Sequence, residues 1–336
     1  MLRIAINGYG RIGRLVHRHL AEHFGKEAEV VAINASSDAA MRRYLLKYDT
    51  LHGKFSGEVE VVGDHLTVNG KPVRVVRERD PAKCPWKELN VDIVVEATGK
   101  FRSSELCKTH LSAGAKFVVI TAPPKDDTVM IVRGVNDDVL KSSLPIVSAA
   151  SCTTNCIAPV LKVLDERIGI DRGLVCTTHA YTTSQNLLDN ASDSSKMRIS
   201  RAAALSIIPS TTGAIKACTK LFPHLKGKMD GMALRVPVPD VSAAYLALTV
   251  KRKTTIDEVH GALTEASTGS LKGILAVEKE LLVSADFISN DHSSIVDMDS
   301  TAVIDDTLVQ LLCWYDNEYG YAMRVTEIAM NIGQLL

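Results

Sequence analysis

Over the first 150 positions, short apolar runs alternate with amphipathic stretches. Leu2–Asn7 reads as a buried strand, and Arg11–Glu22 carries its apolar residues at helical spacing. Glu29–Asn34 is a second apolar strand. Asp92–Ala97 and Lys116–Thr121 are two more, each followed by small residues (Thr98 and Gly99, then Ala122, Pro123 and Pro124). Pro145–Ala149 is a further short strand that runs into Ser151 and Cys152. Apolar strands separated by amphipathic helices predict a parallel sheet covered on both faces. From Gly173 onward the strands lengthen, as in Gly231–Pro237 and Ala243–Lys251, which predicts a sheet built partly from antiparallel strands. Residues 322–336 read as a last amphipathic helix, with Val325, Ile328, Ala329 and Ile332 on one face. No internal repeat or low-complexity stretch interrupts this plan.

The first strand runs directly into Gly8-Tyr9-Gly10-Arg11-Ile12-Gly13, a G-x-G-x-x-G between a strand and a helix. Gly8 permits the tight turn, Gly10 lets the backbone approach a pyrophosphate, and Gly13 lets helix and strand pack closely. The helix N-terminus then offers its N–H groups to phosphate. The fold class predicted is α/β. A Rossmann dinucleotide-binding domain covers residues 1–151, and a second α+β domain on a mixed or antiparallel sheet covers 152–317. A C-terminal helix within 318–336 returns to the first domain. A carboxylate at the end of the second strand normally bonds the adenosine ribose. Here that strand ends in Asn34, Ala35, Ser36 and Ser37, and Asp38 lies too far along. Two readings stay open: NAD held with one hydrogen bond fewer, or room made for the 2′-phosphate of NADP.

Bulk numbers narrow the function classes. A length of 336 residues suggests two domains. Lys plus Arg and Asp plus Glu are 39 each, so no long-range field draws in nucleic acid or an anionic membrane. No apolar run reaches the ~18–20 residues of a membrane span, and Met1–Gly10 lacks the features of a signal peptide. Seven scattered cysteines argue against a disulfide framework and for a reducing compartment, so a cytoplasmic location is expected.

The strongest local chemistry is Ser148-Ala149-Ala150-Ser151-Cys152-Thr153-Thr154-Asn155-Cys156, where a strand ends and an apolar helix begins. A cysteine at a helix N-terminus feels the positive end of the dipole, which favours thiolate. His179 supplies an imidazole to take the proton. Taken singly, a cysteine is more often a small buried hydrophobe and a histidine a satisfied core residue. Cys152 and Cys156 stand at i, i+4 with no second pair at metal spacing, so no metal site is expected and Cys156 is assigned to helix packing.

These segments resemble the phosphorylating glyceraldehyde-3-phosphate dehydrogenase family over nearly the whole chain. The shared blocks include Ile6–Arg14, Leu46–Asp49 with His52 and Gly53, Glu96–Gly99, Ser151–Cys156, Thr178–Thr182, Ile207–Pro209, Thr212–Ala214, Leu234–Pro239 and Trp314–Glu318. The resemblance implies that Cys152 attacks an aldehyde carbon, with His179 as general base. Hydride leaves for the nicotinamide of NAD or NADP, and inorganic phosphate then releases an acyl phosphate from a thioester on Cys152. The substrate implied is glyceraldehyde 3-phosphate. Ser151, Thr153, Thr182, Arg198, Thr212, Gly213 and Arg235 resemble the residues that hold the two phosphates, and Arg201 is a further candidate. Arg11, Ile12, Arg79, Thr121 and Asn317 match the family's cofactor contacts, beside Gly8, Gly10, Gly13, Asn34 and Ala35 from the motif. A homotetramer is implied as well, with no nucleic-acid or membrane partner. The chain departs from the common pattern at Ala35 and in the small, polar segment 189–195, where most relatives have a proline near Ala191. Both departures point towards NADP use, through Arg79 or else Arg42 or Arg43. Erythrose-4-phosphate dehydrogenases look similar overall but usually change the Thr212–Ala214 segment and the residues after His179. Acyl-phosphate reductases share the fold and the Cys–His logic, but the long block matches point away from them. A non-catalytic binding protein on this scaffold would not need an intact Cys152 and His179.

Overall fold

The computed structural model describes residues 1–191 and 194–336. In chain order, the first part contains β1 (Leu2–Asn7), α1 (Arg11–His23), β2 (Ala28–Asn34), α2 (Ala39–Lys47), the short pair β3 (Tyr48–Asp49) and β4 (Gly53–Lys54), β5 (Val59–Val62), β6 (His65–Val68), β7 (Lys71–Val76), β8 (Ile93–Glu96), α3 (Ser104–Ser112), β9 (Phe117–Ile120) and β10 (Ile146–Ser148). Eight strands form one sheet in the order β10-β9-β8-β1-β2-β7-β6-β5. The six from β10 to β7 are parallel, and β6 and β5 complete the edge as antiparallel turns back. β8 and β9 are buried at every residue, as a parallel sheet covered on both faces requires. Ile4, Ile6, Ile33 and Ile93 are fully buried at its centre, each contributing about 1.5–3 kcal/mol on transfer from water.

The strand order reverses at β1: the chain passes to β2 on one side, then returns to β8 on the other. In open α/β sheets the crevice beyond the carboxyl ends at such a reversal holds the ligand. Gly8 and Gly13 shape this turn. Gly8 has φ +93, and a Cβ there would meet the Thr98 nitrogen at 2.6 Å. A Cβ on Gly13 would lie 2.2 Å from the Gly8 carbonyl oxygen, so α1 packs this close to β1 only without a side chain.

The second part opens with α4 (Cys152–Arg167), β11 (Ile170–Ala180), β12 (Ile208–Thr211), α5 (Ala214–Leu221), β13 (Met229–Val236), β14 (Ser242–Val250), α6 (Ile256–Thr268), β15 (Leu275–Glu278), β16 (Ser294–Ile304), β17 (Leu308–Tyr315) and α7 (Tyr319–Gly333). Its seven-stranded mixed sheet runs β12-β13-β11-β14-β17-β16-β15. β11 is parallel to β13 and antiparallel to β14, and β14, β17 and β16 continue antiparallel. On one face Ala233, Thr177, Ala244, Cys313 and Val296 stand in register, and all are buried. This row of small residues admits α4, itself buried along most of its length. The opposite face carries Met232, Cys176, Tyr245 and Leu312 in register and is open.

The chain divides into two units, Met1–Ser151 with Ala322–Leu336, and Cys152–Tyr321. Val325, Ile328, Ala329 and Ile332 of α7 are all fully buried. Among the described residues, no helix is long and apolar enough to cross a membrane.

Candidate active site

Cys152 is the first residue of α4, reached through Ala150 in a left-handed conformation, φ 57. Residues 149–151 link the end of β10 to the start of α4. His179 is the penultimate residue of β11 and pairs in register with Arg235 on β13. Cys152 Sγ lies 3.5 Å from His179 Nε2, within the reach of a sulfur hydrogen bond. The imidazole is held on three sides. Its Nδ1 is 2.7 Å from the Ala180 carbonyl oxygen, and Tyr315 packs edge-on against the ring at 6.0 Å between centroids. Arg235 Nη1 lies 2.7 Å from Nδ1 and donates to the same Ala180 oxygen at 2.9 Å.

Nδ1 meets one acceptor and one donor: the Ala180 oxygen calls for Nδ1–H, whereas Arg235 Nη1, which only donates, calls for a bare Nδ1. With Nδ1–H on that oxygen, the Nε2 lone pair faces Cys152 Sγ, the arrangement of a base. Burial pushes the His179 pKa down to about 4, and the neighbouring Arg235 charge adds to this. Burial pushes the Cys152 thiol up, opposed by Thr153 and the Arg235 charge. The resting pair is therefore thiol and neutral imidazole, ready for proton transfer from sulfur to nitrogen. Thr153 Oγ1 is 3.0 Å from the Tyr315 hydroxyl. Ser242 Oγ accepts from Ala180 N at 3.1 Å and donates to Asn317 Oδ1 at 2.6 Å, tying the His179 strand to Asn317. Ser242 belongs to no motif and Tyr315 stands in the Trp314–Glu318 block without a role assigned to it; register shows their place.

The other expected phosphate ligands sit on separate segments. Thr182 Oγ1 bonds Ser184 Oγ at 3.0 Å in the turn after β11. Thr212 Oγ1 accepts from Ala214 N at 3.2 Å, and Gly213 is the N-cap of α5. Arg198 is exposed on a short 3-10 run. Among the described residues, no hydrogen bond links these four to Cys152 or His179. Arg201 is engaged by Asp189 at 2.8 Å, which favours Arg198 over it as an anion ligand. Ser151 ends the first unit, adjacent in sequence to Cys152. Of segment 189–195, Ser192 and Asp193 lie outside the described residues.

At the carboxyl end of the first sheet is a cavity of about 980 Å³. Gly8, Gly10, Asn34, Ala35 and Arg79 of the expected cofactor residues line it. A Cβ on Gly10 would meet nothing within 4 Å, so the backbone there is open to a ligand. Gly13 acts behind the wall. Arg11, Ile12 and Thr121 are not part of the wall among the described residues. The Arg11 guanidinium forms a two-pronged pair with Asp49 at 3.0 and 3.1 Å, so any cofactor contact by Arg11 falls to its backbone. Thr121 Oγ1 donates to the Glu96 carbonyl. Asp38 caps α2 by accepting from Met41 N, which leaves Ala35 without a carboxylate beside it. Arg42, Arg77 and Lys100 line the cavity, and Ser36 stands next to Ala35. Arg77 and Lys100 went unread in the sequence because neither belongs to a motif. Arg43 instead donates to the Val59 carbonyl. The turn that accommodates a pyrophosphate and the surplus of cations fit a phosphorylated dinucleotide.

Comparison with known proteins decides the family. The model of the glyceraldehyde 3-phosphate dehydrogenase NAD binding domain matches residues 2–104, and that of the C-terminal domain matches 151–317. The chain belongs to the glyceraldehyde-3-phosphate dehydrogenase family. It is 48% identical over 98% of its length to glyceraldehyde-3-phosphate dehydrogenase 2 of Bacillus subtilis, covering 96% of that protein. Identity is also 48% to glyceraldehyde-3-phosphate dehydrogenase of Geobacillus stearothermophilus, with 98% of each chain covered. It is 47% identical to the chloroplastic glyceraldehyde-3-phosphate dehydrogenase A of Chlamydomonas reinhardtii, over 98% of this chain and 88% of that one. The α/β class and the two-part plan follow from the family, and the cavity of the first unit lies in its NAD-binding domain.

Proposed function

We propose that the protein oxidises glyceraldehyde 3-phosphate, with inorganic phosphate and NAD or NADP, to 1,3-bisphosphoglycerate. The observation that carries this reading is Cys152 Sγ at 3.5 Å from His179 Nε2, in a member of this family. Cys152 gives its proton to His179 and attacks the aldehyde carbon; the C=O pair moves onto oxygen, which takes that proton back from His179, giving a thiohemiacetal and a neutral imidazole. His179 then accepts the hydroxyl proton as the carbon loses hydride. The cofactor, when bound, supplies the nicotinamide ring as hydride acceptor. The thioester left on Cys152 is attacked by phosphate, the C–S bond breaks, and the thiolate is restored. Arg235, Arg198, Thr182, Thr212 and Gly213, with Ser151 and Thr153, are assigned to the two phosphate groups, for which forked guanidinium donors and hydroxyls are suited. Gly8, Gly10, Asn34, Ala35 and Arg79 hold the dinucleotide, with Asn317 at the carboxamide.

Ala35 and its neighbours support use of NADP beside NAD. Ala35 replaces the carboxylate that would bond the ribose, and although Glu78 is on the wall, Arg42, Arg77, Arg79 and Lys100 outnumber it there, with Ser36 as a further donor. The open sheet face with Leu174, Met232 and Tyr245 supports a homotetramer. Seven free thiols support a cytoplasmic location. The deciding experiment compares turnover with NAD and NADP on glyceraldehyde 3-phosphate and erythrose 4-phosphate, before and after iodoacetamide. Phosphate-dependent, alkylation-sensitive oxidation of the triose phosphate is expected. Turnover that survives complete alkylation of Cys152, or a preference for the tetrose, defeats the proposal.

A further inference from the structure

The last residues of three neighbouring parallel strands form one buried hydrogen-bonded row. Asn7 of β1 stands in register with Asn34 of β2 and with Glu96 of β8, and all three are buried. Asn7 Nδ2 donates to Glu96 Oε2, and Asn34 Nδ2 donates to Asn7 Oδ1 at 2.7 Å. Behind the sheet the row continues into the core. The Trp86 indole N–H donates to His110 Nδ1 at 3.0 Å, and an indole can do nothing else. His110 therefore keeps its proton on Nε2, which meets Glu96 Oε2 at 3.1 Å. The other Glu96 oxygen accepts from Thr98 N at 2.8 Å and from Thr98 Oγ1. In front, Asn34 grips the main chain of Glu78 twice: its Oδ1 accepts from Glu78 N at 2.9 Å, and its Nδ2 donates to Glu78 O at 2.8 Å.

Each end of this network reaches the cofactor cavity. Asn7 precedes the Gly8–Gly10 turn, Thr98 lies on the wall after β8, and Glu78 sits between the wall residues Arg77 and Arg79. Glu96, His110 and Trp86 are outside the wall. A buried carboxylate is costly, and well-packed apolar residues often stabilise as much. What an apolar row cannot do is set directional distances between three loops.

We infer that Glu96 and His110 are positioning residues for the dinucleotide, holding the β1, β2 and β8 loops at the spacing it requires. They act through Asn7, Asn34 and Thr98, and the effect is on binding rather than on the thiol chemistry. The test is titration of the full-length protein with NAD and with NADP, alongside steady-state kinetics, for Glu96→Gln, His110→Gln and His110→Phe. Glu96→Gln places an N–H₂ against groups that already donate, so cofactor affinity is expected to fall about 10-fold. KM for the cofactor should rise with it, while kcat at saturation and the Cys152 alkylation rate stay within about threefold. His110→Phe should weaken binding likewise, and His110→Gln, which keeps an N–H for Glu96, should restore part of it. If Glu96→Gln fails to fold, the contrast between the two His110 variants decides. Folded variants with lowered Tm but cofactor affinity within twofold of wild type would overturn the inference, as would a fall in kcat with KM unchanged.

Discussion

Cys152 carries two opposed influences: burial holds the thiol protonated, while Thr153 and the Arg235 charge favour thiolate. On the proposed mechanism this balance makes His179 the base at neutral pH. Cys152→Ser is expected to abolish phosphorylating turnover while the protein stays folded, because a hydroxyl of ordinary pKa cannot replace the thiol. Residual activity within tenfold of wild type would remove Cys152 from its role. His179→Asn should lower kcat by about 10² to 10⁴ and slow alkylation of Cys152 near neutral pH. An unchanged alkylation rate would show the pair to be uncoupled. At the adenosine end, Ala35→Asp should move the kcat/KM ratio towards NAD, mostly through poorer use of NADP, since a carboxylate would face the 2′-phosphate among Arg42, Arg77 and Arg79. A ratio that does not move, or a wild type without NADP turnover, would refute this account of the pocket. The motif glycines and the Cys–His pair were readable residue by residue. Arg77 and Ser242 were not, because strand register and loop closure bring them into place.

Among the elements, the β1–α1 turn separates two jobs that one motif conceals. Gly13 is needed for packing: a Cβ there would strike the Gly8 carbonyl oxygen, which is backbone and yields little. Gly10 is open, so a Cβ costs the fold nothing and obstructs only a ligand. Gly13→Ala should therefore destabilise by about 1–3 kcal/mol and also weaken cofactor binding. Gly10→Ala should weaken binding with Tm unchanged. Thermal melts with and without NAD distinguish the two, and equal Tm losses would contradict this division. Elements apolar throughout, such as β1, β8 and β9, were visible in the sequence to within a residue or two. The β5–β6–β7 edge was not, since β5 is mostly exposed and its short strands alternate weakly.

At the scale of the whole molecule, two buried histidines and the buried Asp240 set the response to acid. Burial lowers His17 from 6.5 to about 3, and burial with the Arg235 charge lowers His179 to about 4. Between pH 6.5 and these values the unfolded chain binds protons that the folded chain refuses. Each histidine thus costs about 1.4 kcal/mol of stability per pH unit as pH falls from 6.5 towards 4. Burial raises the Asp240 carboxyl to about 9, so it contributes with the opposite sign across this window and offsets about one histidine. Denaturant melts from pH 7 to 4.5 should show the net loss, and His179→Asn should reduce it. A slope that His179→Asn leaves unchanged would mean that this imidazole is charged in the fold. The open face of the second sheet leaves Leu174 at 64%, Met232 at 43% and Tyr245 at 41% exposure, in a row with Cys176 and Leu312. Light scattering should give a tetramer at micromolar concentration, and Leu174→Asp with Met232→Asp should dissociate it. A monomeric wild type would defeat the assembly.

By itself the sequence determined the parallel sheet and the dinucleotide turn and pointed to the Cys152–His179 pair, because apolar runs and short motifs are local properties of the chain. Tertiary structure alone decided which cations face the adenosine pocket: Arg77 joins Arg79 on the wall, Arg42 is admitted and Arg43 is turned away to Val59. It also decided that Arg11 is committed to Asp49 and Arg201 to Asp189. The physical reason is common to all of these. A charged side chain several bonds long is directed by the partner it finds, and partners 12 to 38 positions away are chosen by the fold.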